Sequence, residues 1–169
     1  MSIRYPGLQR FKDAHDRSAG GFDAALSEIR AGGKRSHWIW YIFPQLAGLG
    51  HSAAARTYGL DGVGEAEDYL HDPVLRSRLL IIATAVTEQV VRDGGVSLEW
   101  LMGSSIDVAK VVSSMTLFGA VAKRLQANEN SAEYAPVAAV ADQVLALAAV
   151  EGYEPCGFTL DQLRRSEGG

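Results

Sequence analysis

From Asp72 to Gly95 the chain reads DPVLRSRLLIIATAVTEQVVRDGG, and the spacing of its apolar residues decides the fold class. Leu75, Leu79, Ile82, Val86 and Val90 recur at helical steps, which puts them on one face of an α-helix and conflicts with the two-residue period of a strand. Asp72 suits the cap position. Pro73 suits the first helical turn, where its missing N–H is not needed. Gly94 and Gly95 end the run, so the pattern predicts a helix over Pro73–Asp93.

The same period extends outward. Between Ile106 and Leu125, the residues Val108, Val111, Val112, Met115, Phe118, Ala122 and Leu125 form a second stripe. Ala132–Val150 reads as an Ala/Val/Leu helix with Gly152 beyond it. Shorter helices are expected at Leu8–Arg17, Phe22–Ala31, Glu65–His71 and Leu98–Met102. Trp38-Ile39-Trp40-Tyr41-Ile42-Phe43 has the composition of a strand but is equally consistent with a short buried helix. Gly48–Gly64 reads as a Gly-rich connection, too small to separate domains. The expectation is one all-α domain over residues 1–169, an irregular bundle of about six to eight helices.

Composition bounds the function. The 169 residues are 47% hydrophobic and 21% charged with a net charge of −4, which suits a globular chain and lacks the basic footprint of a nucleic-acid binder. Cys156 is the lone cysteine, so no internal disulfide forms, which fits a reducing compartment. Met1–Pro6 holds no apolar signal core, and Ala135–Val150 is interrupted by Asp142 and Gln143. The reading is therefore cytoplasmic, with no membrane partner.

Several short motifs fail on inspection. Gly48-Leu49-Gly50-His51-Ser52-Ala53 fits G-x-G-x-x-A, but no later segment supplies the parallel strands of a dinucleotide fold. Gly50-His51-Ser52-Ala53-Ala54 lacks the last glycine of a nucleophile elbow. Gly33-Lys34-Arg35 lacks both the first glycine and the hydroxyl residue of a phosphate loop. His15, His37, His51 and His71 are too scattered to pair as metal ligands, so neither metal nor cofactor is expected.

Two segments carry chemistry that core packing does not demand. If Ser36–Phe43 is helical, Ile39, Ile42 and Phe43 enter the core, while Lys34, His37, Trp38 and Tyr41 share another face. Pro44 ends the element and leaves the phase of Gln45 open. That second face either stacks a planar ligand or supplies tryptophan anchors and a satisfied histidine to the core. In the other segment, Asp107, Lys110 and Ser114 fall at i, i+3 and i+7, with Ser113 and Thr116 beside them. The set is either a surface ion pair with supporting hydroxyls or one wall of a cavity.

At this point the words become recognisable. Gly33-Lys34-Arg35-Ser36-His37-Trp38-Ile39-Trp40-Tyr41-Ile42-Phe43-Pro44-Gln45-Leu46 resembles the hallmark of a bacterial family catalogued as domain of unknown function 1810, whose members are sometimes mislabelled calpastatin. Gly48–Ser52, Glu65–Pro73 with Arg78-Leu79, and Asp107–Lys110 with Ser113–Phe118 are similar to the same pattern. The resemblance runs from about Leu8 to Leu163. It implies a compact all-helical fold and no known reaction. Departures fall at Asp13-Ala14-His15, at Gly103–Asp107 and at Cys156–Leu160. Calpastatin-type inhibitors are disordered polar chains, which this composition is not.

Two functions follow as expectations. One is a pocket for a nucleotide-like or ADP-ribose-like molecule. In it Trp38 or Tyr41 stacks a base, and Lys34 and Lys110 meet phosphates. His37, Gln45, Ser113, Ser114 and Thr116 line the walls, and Asp107 or Glu65 serves as the acid/base if chemistry occurs. The other is a non-enzymatic interaction module or homodimer built on the broadly apolar Ala135–Val150 helix.

Overall fold

The computed structural model describes residues 7–168, so Met1–Pro6 and the reading made of them lie outside the described residues. Ten α-helices occur there: α1 Gln9–His15, α2 Phe22–Arg30, α3 Ile39–Ile42, α4 Ala53–Tyr58, α5 Gly62–His71, α6 Pro73–Val91, α7 Leu98–Met102, α8 Ser105–Glu129, α9 Ala135–Val150 and α10 Gly157–Glu167. A 3-10 turn, Ala132–Tyr134, leads into α9. The described residues hold no named strand, only an isolated parallel bridge between Leu46 and Leu60.

The fold class is all-α as expected, but six to eight helices undercounts. Helices α4 and α10 were missed for one physical reason: α4 buries no residue at all, and α10 buries only Thr159 and Leu163. Neither therefore shows a stripe to read. The ambiguous Trp38–Phe43 run resolves as the single turn of α3.

The predicted stripes lie inside. Leu75, Leu79, Ile82 and Val86 of α6 are buried. The Asp72 carboxylate caps that helix, accepting from the N–H of Val74 and Leu75, as the sequence suggested. Helix α8 is the axis of the bundle, packed by α3, α5, α7, α9 and α10. From Val111 to Gly119 it is buried on every side. A Cβ added at Gly119 would sit 3.0 Å from the Ala141 Cβ of α9, so the glycine lets the two helices approach closely.

Helix α9 turns Val137, Val140, Ala141, Val144 and Ala148 inward and leaves Ala139, Ala146, Ala149 and Val150 exposed. Both α8 and the run Ala132–Val150 are long and apolar enough to cross a membrane by length and composition alone, so Asp142 and Gln143 do not by themselves disqualify the second. Most of the first is taken up by the core.

Candidate functional site

The loop after α2 brings the two flagged segments together. Gly33 N–H returns to the Glu28 carbonyl at 3.1 Å. The Glu28 carboxylate then accepts from Arg35 N–H at 2.6 Å, Ser36 N–H at 2.8 Å, the Ser36 hydroxyl, and Trp38 Nε1 at 3.1 Å. Lys34 N–H donates to the Leu101 carbonyl of α7 at 2.7 Å. So fastened, Lys34 sends its side chain, only 8% exposed, to within 3.0 Å of Asp107 Oδ2. Asp107 sits in the first turn of α8, its own N–H capped by the Ser104 hydroxyl at 3.1 Å. Lys110 Nζ lies 3.5 Å from the other Asp107 oxygen. Each ammonium also covers an indole: Lys34 stands 5.2 Å from the Trp38 ring centre and Lys110 4.8 Å from that of Trp40. One carboxylate thus holds two lysines, and each lysine holds a tryptophan face.

The remaining predicted residues go elsewhere. Because α3 begins only at Ile39, Lys34, His37, Trp38 and Tyr41 do not share a helical face. Trp38 is wholly buried, with its N–H already used on Glu28. His37 is exposed. Tyr41 is buried and donates to the Gly20 carbonyl at 2.6 Å, its ring against Tyr58. Gln45 is buried, and its backbone carbonyl accepts from Leu60 N–H at 2.9 Å beside the Leu46–Leu60 bridge.

Ser113, Ser114 and Thr116 face the core rather than a surface. Ser113 and Thr159 hydroxyls lie 3.4 Å apart. The Thr116 hydroxyl donates to the Val112 carbonyl at 2.7 Å and accepts from Cys156 N–H at 3.2 Å. Ser113 and Thr116 thus fasten α10 to α8, whereas the Ser114 hydroxyl is buried without a partner. Glu65 belongs to another cluster, where Arg10 Nη2 meets its carboxylate at 2.5 Å. Arg10, Arg56 and Glu65 line a small cavity of about 230 Å³ there.

The sequence reading missed the third tryptophan. Trp100 is 72% exposed and lines a cleft of about 670 Å³ with Ser97, Glu99, Gly103 and Glu151. Glu151 also accepts from Leu98 N–H at 2.9 Å, which fixes the end of α9 against the start of α7. Gly103 joins this cleft to the lysine cluster. It precedes the Ser104 cap of α8, and a Cβ built on it would lie 3.8 Å from the Lys34 carbonyl. A lone tryptophan in a five-residue helix leaves no periodic signal, so only the folded chain shows it as exposed. Among the described residues no group of three metal-ligating side chains forms.

Glu28 gives the site a pH signature. Burial raises its carboxyl, but the bonds from Ser36, Arg35 and Trp38 outweigh that and hold it below the ordinary glutamate value. A carboxyl depressed on folding stabilises above its unfolded pKa, and that contribution is lost as pH falls through the folded value. Glu28→Gln is expected to lower stability at pH 7 by about 1.5–3 kcal/mol, the range for hydrogen bonds to a charged group. The gap to wild type should narrow on acidification below pH 4.5. Urea titrations at pH 7 and pH 3.5 check this. A gap of constant size would mean that the carboxylate's charge plays no part in holding the loop.

The architecture and site define an all-helical protein with a Lys–Asp–Lys cluster beside an aromatic cleft. The chain belongs to the family described as protein of unknown function (DUF1810), whose model matches residues 6–135. The matched span stops at the start of α9, short of the Leu163 limit that the resemblance suggested. It is also similar to the conserved hypothetical protein Rv1873 from Mycobacterium tuberculosis, known from a crystal structure. The two are 33% identical over 91% of this chain and 94% of that one, with a TM-score of 0.65. No curated protein matches the chain.

Proposed function

We propose that the protein binds a small nucleotide-like or ADP-ribose-like molecule in the Trp100 cleft, with the anionic part of the ligand directed toward Lys110. The observation that carries this reading is a cleft of about 670 Å³ under an exposed indole, whose wall residue Gly103 lies against the Lys34 backbone and stands four residues before the Asp107 that holds Lys34 and Lys110. That volume lies in the range of small-molecule sites. An exposed indole offers a stacking face, and Glu99 and Glu151 offer acceptors for ribose hydroxyls. Lys110 and the first turn of the 25-residue α8 favour negative charge. Trp100 and Trp40 replace Trp38 and Tyr41 as the aromatic elements of the proposal.

Binding is favoured over catalysis, since Asp107 would have to release two lysines before acting as a base. The homodimer reading has the exposed Ala139, Ala146, Ala149 and Val150 of α9 in its support, and small aliphatic side chains make poor interface anchors.

Thermal-shift titration with NAD, ADP-ribose and nucleoside diphosphates tests the proposal. A ligand at 100 times its Kd should stabilise by about 2.7 kcal/mol and raise Tm by roughly 5–10 °C. Trp100→Ala and Lys110→Ala should each weaken the best ligand by about tenfold and leave the unliganded Tm nearly unchanged. A flat response across the panel would sink the nucleotide reading. A hit indifferent to both substitutions would sink the site.

A further inference from the structure

A second cleft, of about 800 Å³, opens between α1, α2 and α6 and shares no residue with the first. His15, Arg17, Phe22, Ser77 and Arg78 are among its walls, together with the carboxylates of Asp16 and Asp23. Its floor has an unusual hydrogen-bond balance. His15 is 4% exposed, and its Nε2 lies 2.6 Å from the Tyr41 carbonyl oxygen. A carbonyl only accepts, so Nε2 carries the hydrogen and, in the neutral ring, Nδ1 offers a lone pair. Burial pushes the His15 pKa down despite the bond to Tyr41, which keeps the ring neutral.

Nδ1 is buried without a partner, and so is Arg78 Nη1. Arg78 Nη2 donates to Asp16 at 3.4 Å, and the guanidinium lies 5.6 Å from the Phe22 ring centre. The Tyr69 hydroxyl, fully buried, also lacks a partner, and Arg78 acts electrostatically on both Tyr69 and His15. Buried polar atoms are nearly always paired. Here an acceptor, a donor and a hydroxyl are sealed from solvent without partners, and the first two belong to residues that line the cleft.

The group that completes this set must accept from Arg78 and donate to His15. A hydroxyl does both, whereas a bare carboxylate or a bare ammonium does only one. We infer that this cleft is a second binding site, for a small hydroxylated anion: a sugar phosphate or a hydroxy acid. One ligand hydroxyl, admitted by a swing of the partly exposed Arg78 side chain, bridges His15 Nδ1 and Arg78 Nη1, the negative charge lies toward Arg17, and further hydroxyls donate to Asp16 and Asp23.

Calorimetry with ribose 5-phosphate and with gluconate, alongside inorganic phosphate and ribose as controls, tests this. Side-chain nitrogen NMR of His15 follows the same titrations. One of the two hydroxylated anions should bind more tightly than either control and shift the His15 Nδ1 resonance. Which one binds tells phosphate from carboxylate. Ser77→Leu, at an exposed position on α6, should fill the cleft and weaken binding by about tenfold or more without unfolding the protein. Lys110→Ala should leave this binding intact, which separates the result from the fate of the Trp100 cleft. The inference is overturned if neither anion binds, if Ser77→Leu binds equally well, or if binding leaves Nδ1 unmoved. An ordered water that bridges His15 and Arg78 and is displaced by no probe overturns it too.

Discussion

Trp38→Ala should cost about 4 kcal/mol of stability, as large aromatic deletions in cores do, and lower Tm by roughly 8–16 °C for a chain of this length. The indole is fully buried, so its loss opens a cavity. It is also the only side-chain nitrogen among the donors that gather on Glu28, and it underlies the Lys34 ammonium. The loop that positions Lys34 should therefore loosen along with the core. Trp38→Phe keeps most of the volume and gives up only the N–H, so its cost should be nearer 1–2 kcal/mol. Differential scanning calorimetry of the two variants separates the contributions. An alanine variant that melts within about 3 °C of wild type, a shift that 2–4 °C per kcal/mol equates with only about 1 kcal/mol, would contradict the buried placement. It follows that Trp38→Ala is a poor probe of ligand binding, because any loss of binding would only report loss of fold.

The second large effect lies at Arg10. Its guanidinium meets Glu65 and donates to the carbonyls of Thr57 at 2.8 Å and Gly59 at 3.1 Å. It thereby ties α1 to the α4–α5 turn. That turn is tight: a Cβ on Gly59 would fall 2.8 Å from the Ala47 Cα, so the carbonyls cannot readily reorient. Arg10→Ala removes the cation from a largely buried carboxylate and should cost about 3–5 kcal/mol. Glu65→Gln still leaves an oxygen for Arg10 and should cost less. The double variant Arg10→Met/Glu65→Leu is expected to recover much of the loss, since an apolar pair of similar volume often matches a buried ion pair. Urea unfolding of wild type, Arg10→Met, Glu65→Leu and this double variant closes a cycle and gives the coupling directly. Additive losses would show that the two side chains act independently.

What the sequence made legible follows from what periodicity can carry. Helices α6 and α8 bury an apolar stripe on a regular turn, so their existence, faces and approximate ends could be read from spacing alone. Helix α4 buries no residue and α10 only Thr159 and Leu163, so no spacing announces them. The candidate site divides in the same way. Asp107 and Lys110 are neighbours on one helix, so their pairing was visible. The approach of Lys34 depends on Glu28 folding an irregular loop and on a backbone bond to Leu101, which are long-range facts. Ser113, Ser114 and Thr116 misled because a hydroxyl on a helix signals polarity and not exposure. In α8 those hydroxyls serve α10 or lie unpaired in the core. The family, by contrast, was carried by the Gly33–Leu46 words themselves.

The three indoles occupy three different media: Trp38 sealed in the interior, Trp40 half-covered beneath an ammonium, and Trp100 standing in solvent between two carboxylates. Their fluorescence should separate accordingly, with Trp100 emitting at the longest wavelength. Caesium, a cationic collisional quencher drawn toward Glu99 and Glu151, should extinguish Trp100 first. The emission that survives caesium comes from Trp38 and from Trp40 beneath Lys110, and tracks the packing of the interior and of the lysine cluster. Two colours from one unlabelled chain can therefore be followed at once, one sensing occupancy of the cleft and the other the integrity of the bundle.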